Sequence, residues 1–210
     1  MAYKTITQDK IIEETIKKSR FLCHMKRVSS EQEARDYIAQ IKKEHHKANH
    51  SCSAMIIGDK SEIKRSSDDG EPSGTAGIPM LTVLEKQELT NLVAVVTRYF
   101  GGIKLGTGGL IRAYSGCVAH AIADIGIVEV KRQDGIQVEL TYSQYQSFPN
   151  FLTSQRLQEA ETEFSDRVLS TIFVDPEKST ACIEDLNEFY NGKVTTKKAG
   201  NQIVEVPMNN

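Results

Sequence analysis

The sequence predicts an α+β protein of two domains, residues 1–130 and 131–210. Strand-type runs alternate with amphipathic helical stretches along the whole chain. The last third follows a β-α-β-β-α-β succession, the split βαβ, ferredoxin-like pattern. Composition also shifts along the chain. Residues 1–126 carry a net charge of +3 and residues 127–210 one of −5, within a total of −2 over 210 residues. Nine of the 14 glycines fall between Gly70 and Gly116, and all five histidines lie in the first part. With 39% hydrophobic and 26% charged residues, the chain can bury a core and falls outside the ranges of disordered, collagenous and coiled-coil sequences. No run approaches the roughly 18 apolar residues of a membrane span. Met1-Ala2-Tyr3-Lys4 leads into polar residues, so no secretory leader is expected. Cys23, Cys52, Cys117 and Cys182 are scattered without a Cys-x-x-Cys pair and read as reduced thiols of a cytoplasmic protein.

Taking the elements in order, residues 3–28 alternate as two or three antiparallel strands, with turns near Gln8-Asp9 and Lys17-Lys18-Ser19. Ser30 is the expected N-cap of a helix with Glu33 three residues on and the stripe Ala34, Tyr37, Ile38, Ile41. It runs out in the basic stretch from Lys42 to Lys47. Residues 51–58 read as a strand and 61–66 as its partner. A polar loop over 67–80 precedes a helix from about Met80 to Glu88. Residues 91–97 are mostly apolar and β-branched and read as a buried central strand. A glycine loop then delivers an alanine-rich helix, about Leu110 to Asp124, closed by Gly126.

In the second part, strands are expected near 128–131 or 136–142, then at 158–164, 168–174 and 201–206. Helices are expected at 144–155 and 176–190. The polar stretch Lys131-Arg132-Gln133-Asp134-Gly135 reads as the turn between the domains.

Two loops carry the chemistry. A buried strand, glycines and a helix start expose backbone N–H groups to an anion. Arg98, Lys104 and Arg112 add positive charge around Gly101, Gly102, Gly106, Gly108 and Gly109. The loop fits neither the Walker pattern nor the dinucleotide fingerprint. Two readings stand level: an anion cradle, or glycines that serve turns and close packing. Asp68, Asp69 and Glu71 form the second constellation. They suit a solvated turn, a metal or acid/base site, or a lock on the glycine loop through Arg98 or Arg112. His45, His46, His50 and Cys52 cluster in eight residues but lack a metalloprotease pattern, so they read as a polar helix end. Cys117 reads as packing, and Tyr142, Tyr145 and Phe148 as core. No cofactor, metal or catalytic residue is assigned.

Residues Asp68-Asp69-Gly70-Glu71-Pro72-Ser73-Gly74-Thr75-Ala76-Gly77-Ile78-Pro79, followed by the run from Val96-Thr97-Arg98-Tyr99-Phe100-Gly101-Gly102 to Arg112-Ala113-Tyr114, resemble the signature of the IMPACT family in its bacterial YigZ/YvyE form. Lys18-Ser19-Arg20-Phe21 and His50-Ser51-Cys52-Ser53-Ala54 also fit it. The resemblance implies a first domain like that of a small-subunit ribosomal protein and of elongation factor G domain IV, followed by a small ferredoxin-like domain. It implies a regulatory or RNA/ribosome-associated binding protein acting in translational control. Arg98, Lys104 and Arg112 would then meet phosphates, and the five glycines would let the backbone approach. The alternative is an enzyme on a phosphorylated or peptide-like substrate, working through Asp68, Asp69 and Glu71. Either way the two loops are expected to meet in space.

Overall fold

A computed structural model describes residues 2–208. The chain divides into two compact units, residues 2–130 with 205–208, and residues 131–204. The protein is mixed α/β, with two five-stranded sheets.

The first unit is built on the sheet β2-β3-β6-β4-β5, formed by β2 (Lys10–Ile16), β3 (Ser19–Arg27), β4 (His50–Ile57), β5 (Ile63–Ser67) and β6 (Leu92–Tyr99). All neighbours are antiparallel. β6 lies between β3 and β4, and both its faces are covered. Leu92, Ala94 and Val96 pack with Met80 and Leu84 of α2 (Gly77–Lys86) and with Ala113, Tyr114, Cys117 and Ala121 of α3 (Thr107–Ile125). Val93 and Val95 pack with Ala34 and Ile41 of α1 (Glu31–Glu44). That two-sided burial is why the strand reads as an unbroken apolar run instead of an alternating one. The small residues of α3 let that helix lie close on the sheet. Ser30 caps α1 by accepting from the Glu33 N–H at 3.2 Å, and Gly126 (φ 84°) ends α3.

Several expectations need correction. β1 (Ala2–Ile6) does not pair with β2 but joins the other sheet, beside β7 (Ile127–Leu140). The Lys131–Gly135 stretch is not a turn. β7 runs straight through it, with Asp134 opposite Val174 and Gly135 opposite Phe173. Two of its polar side chains are satisfied by a distant partner: Lys131 Nζ and Gln133 Nε2 both reach Asp175, at 2.9 and 3.0 Å. Gly135 is required because a Cβ there would lie 2.7 Å from the Ala199 carbonyl oxygen.

In the second unit, β7 pairs with β9 (Val168–Val174), which pairs with β8 (Glu159–Phe164); β10 (Thr195–Met208) also pairs with β7. The expected helix over 144–155 is broken into α4 (Tyr142–Tyr145) and α5 (Phe148–Gln155). Pro149, lacking an N–H, can stand only in the first turn of a new helix. A 3-10 turn at Pro176–Lys178 precedes α6 (Ser179–Phe189). Ile136, Val138, Phe148, Phe151, Ile172 and Leu186 form this unit's core. All four cysteines are free and buried. Among the described residues no helix is long and apolar enough to cross a membrane.

Candidate functional site

The acidic turn is held from within. Asp68 accepts from the N–H groups of Gly74 (2.8 Å), Ala76 (3.0 Å) and Gly77 (2.8 Å), so its carboxylate caps the start of α2. Burial alone would raise its pKa, but those hydrogen bonds outweigh burial and hold the carboxyl below its usual value. Asp69 (φ 45°) accepts from the Ser51 N–H at 2.7 Å and pairs with Lys42. Its carbonyl accepts from His50 Nδ1 at 2.9 Å, which fixes the tautomer and leaves Nε2 without a proton in the neutral ring. Glu71 is buried. Its Oε1 accepts from Arg98 at 2.7 Å and from the Tyr114 hydroxyl at 2.8 Å.

Arg98 lies at the end of β6 with 5% of its surface exposed. Its guanidinium sits 5.4 Å from the Phe21 ring centroid and 5.5 Å from that of Phe100. One terminal nitrogen bonds Glu71, and the other reaches Ser19 Oγ at 3.4 Å. Nε has no hydrogen-bond partner among the described residues. Burial, together with Cys52 and Glu71, pushes the Tyr114 pKa up, so the phenol remains a neutral donor. Burial likewise pushes the Cys52 thiol up to about 12, which makes it a poor nucleophile.

The glycine loop is tied to the β2–β3 hairpin. A Cβ at Gly101 would fall 1.9 Å from the Lys18 carbonyl oxygen, and the Gly101 N–H donates to Ser19 Oγ at 3.2 Å. This close approach links Lys18-Ser19 to a loop some eighty residues later. Gly102 (φ 85°) and Gly106 (φ 71°) turn the chain. Gly106 is the N-cap of α3, and the first intrahelical bond is Leu110 N–H to the Gly106 carbonyl at 2.9 Å. The N–H groups of the preceding turn therefore lack helical partners, and no acidic side chain sits in that first turn to offset the positive helix end.

Between the two loops lies a cavity of about 470 Å³. Asn49, His50, Glu71, Arg98, Lys104 and Thr107 supply its polar lining; Phe100, Leu105 and Leu110 supply apolar lining. The loops meet, as expected, through the Glu71–Arg98 pair. Of the anion-site residues expected from sequence, Arg98, Lys104 and Gly106 line the cavity, whereas Gly101, Gly102, Gly108, Gly109 and Arg112 do not. Gly101 serves packing against Lys18, and Arg112 is exposed on α3. The acidic residues are held by the protein itself: Asp68 and Asp69 by backbone N–H groups and Lys42, and Glu71 Oε1 by Arg98 and Tyr114, with Glu71 Oε2 3.9 Å from His50 Nε2. No group of three residues suited to a metal ion occurs among the described residues. His50 is not part of a helix end; it opens β4 opposite Arg98. His50, Asn49, Phe100 and Thr107 were not expected at the site. The only sequence signal for His50 is the His50–Ala54 stretch.

The family model for the Impact N-terminal domain matches residues 17–122, and one for a domain of unknown function matches residues 138–193. The chain is 43% identical over 208 residues to IMPACT family member YvyE of Bacillus subtilis, covering 99% of this chain and 96% of that protein. It is 44% identical over 114 residues to IMPACT family member YigZ of Escherichia coli, covering 53% of this chain and 56% of that protein. A solved crystal structure, described as that of a hypothetical protein, superposes with a TM-score of 0.60 at 30% identity, covering 93% of this chain and 96% of the other.

Proposed function

We propose that this chain, which belongs to the IMPACT family, is a cytoplasmic regulatory protein that binds RNA or the ribosome in translational control, and that it does so without catalysis. One observation carries the reading: the start of α3, uncompensated by any acid in its first turn, lies at a cavity with the buried Arg98 and the exposed Lys104. Helix N-termini of this kind favour phosphate. The net charge of −2 means that attraction is local, so affinity is modest and salt-sensitive. The acidic turn favours this reading over a metal-dependent enzyme, since Asp68 and Asp69 spend their oxygens on partners inside the protein and Glu71 pairs with Arg98.

Filter retention of a labelled RNA at two salt concentrations tests this. Lys104→Ala weakens binding and lowers the salt slope by about one, with an unchanged melting curve because Lys104 is exposed. RNA binding by Lys104→Ala with the parent's affinity and slope would remove the cavity from the interface.

A further inference from the structure

Resting on the RNA-binding reading of this cavity, we infer that it takes a single nucleoside monophosphate, free or as one residue of single-stranded RNA, with its base stacked against Phe100.

The lining is divided in a way that a bare phosphate does not require. Arg98, Lys104, Thr107 and the start of α3 suit the phosphate, while Phe100, Leu105 and Leu110 offer apolar surface beside them. A ligand matching both is an anion joined to a flat apolar group. The volume, about 470 Å³, lies in the range of sites that enclose one small molecule. A duplex keeps its bases stacked inside and cannot present one to a concave site, whereas an unpaired nucleotide can.

Phe100 is 45% exposed although it directly follows a buried strand. It is nevertheless held in place. Its N–H donates to Asn49 Oδ1 at 2.8 Å, and the Arg98 guanidinium lies 5.5 Å from its ring centroid. An aromatic ring fixed at the mouth of a basic cavity is a stacking platform that needs little ordering on binding. Arg98 lines the cavity with its charge shared by Glu71 at 2.7 Å, and its buried Nε has no acceptor among the described residues. His50, whose Nδ1 donates to the Asp69 carbonyl and whose Nε2 lies 3.9 Å from Glu71 Oε2, lines the same cavity and adds polar surface suited to a ribose hydroxyl.

The test is calorimetric titration of the full chain with AMP, UMP and ribose 5-phosphate, each then used to compete against labelled single-stranded and duplex RNA. The nucleotides bind at least about tenfold more tightly than ribose 5-phosphate, and single-stranded RNA outcompetes duplex. Phe100→Ala and Phe100→Leu each weaken nucleotide and single-strand binding by about tenfold or more. They leave ribose 5-phosphate unchanged, Phe100→Tyr restores the loss, and melting curves confirm folding. If single-stranded RNA binds far more tightly than AMP or UMP, the occupant is a residue of the strand; comparable affinities identify the free nucleotide. If RNA binds in a Lys104-dependent way while the Phe100 variants match the parent, or ribose 5-phosphate binds as well as AMP, the nucleotide inference is overturned and the phosphate reading survives. If RNA does not bind but AMP or UMP does, with dependence on Phe100, the RNA reading falls and the nucleotide site stands. Binding of neither overturns both.

Discussion

The acidic turn at Asp68–Gly77 and the glycine loop at Phe100–Gly109 are alike in length and both rich in glycine, the one with three carboxylates and the other with a single cation, and the structure uses them in opposite ways. In the turn, the carboxylates are tied to protein partners: three N–H groups for Asp68, Ser51 and Lys42 for Asp69, and Arg98 and Tyr114 for Glu71 Oε1, with Glu71 Oε2 facing His50 Nε2 at 3.9 Å. In the loop, the N–H groups ahead of the first α3 hydrogen bond have no helical partners, and Lys104 is exposed. Charged residues whose bonding capacity is spent internally set the fold, and those whose capacity is left over are available to a ligand. The two regions touch at Glu71–Arg98, so the acidic turn holds the glycine loop in place.

The largest effect expected from breaking that contact is on stability. Glu71→Ala leaves the Arg98 charge buried and unpaired, with both side chains nearly inaccessible in the parent, at about 3–5 kcal/mol. Urea denaturation measures it. The double variant Glu71→Gln, Arg98→Met recovers much of the loss because no buried charge is stranded. If Glu71→Ala alone is neutral, the pair is not what joins the loops.

The next effect lies outside both loops and sets the pH window for comparing them. His24 is 1% exposed, and neither of its ring nitrogens has a partner among the described residues. Burial, aided by nearby His45 and opposed by Glu44, lowers its pKa from 6.5 to about 4. In that interval the unfolded chain binds more protons than the folded one. Stability is therefore full above about pH 6.5 and is lost as pH falls towards 4, by about 3 kcal/mol in all. His24→Leu flattens this window in urea midpoints measured across it. An unchanged pH profile would place the acid sensitivity elsewhere.

Asp68→Ala tests the turn's own internal role. It removes the cap on α2 at about 1–2 kcal/mol, and hydrogen exchange of α2 amides reports it. The Asp68 carboxyl is held below its usual value, so its contribution is present above the usual carboxylate range and is lost as pH falls through the lowered folded value. RNA binding by this variant, measured where it is fully folded, equals the parent's if the turn is only structural.

Much of the fold was legible because local rules and tertiary context agree. β6 showed as a β-branched run because both its faces are buried, Ser30 as a cap three residues before Glu33, and Gly126 as the end of α3. What was not legible depends on partners far away in sequence. Asp175 keeps Lys131 and Gln133 in a strand whose composition suggests a turn. Asp68 starts α2 at Gly77, three residues earlier than the apolar pattern does, by capping N–H groups six to nine positions on. The β2–β3 turn at Lys17 and Lys18 did show in the sequence as a break in the strand alternation, although both lysines take positive φ, where asparagine or glycine is the usual signal. At the site, Arg98 and Lys104 showed through the glycines around them. The burial of Arg98 by Glu71, and the positions of His50 and Phe100, follow from strand pairing that spacing alone does not encode.

A last pair of expected effects, opposite in sign, separates two glycines of the glycine loop that look alike in sequence. Gly106 has φ 71° and ψ 168°, a region essentially closed to residues with a Cβ. Space is not the obstacle, since nothing lies within 4 Å of a Cβ built there. Gly106→Ala therefore costs about 1–3 kcal/mol through the backbone alone and re-aims the start of α3. Gly108 is also open but lies within the helix at negative φ. Gly108→Ala relieves the entropy of a helical glycine and gains roughly 0.5–1 kcal/mol. An obstruction of binding by a side chain at Gly108, which the glycine pattern suggests, is not expected, because Gly108 does not line the cavity. RNA affinity should thus fall in Gly106→Ala and hold in Gly108→Ala, with melting temperatures moving down and up respectively. Equal loss of binding in both variants would mean that the ligand approaches along the first turn of α3 and not through the cavity at its cap.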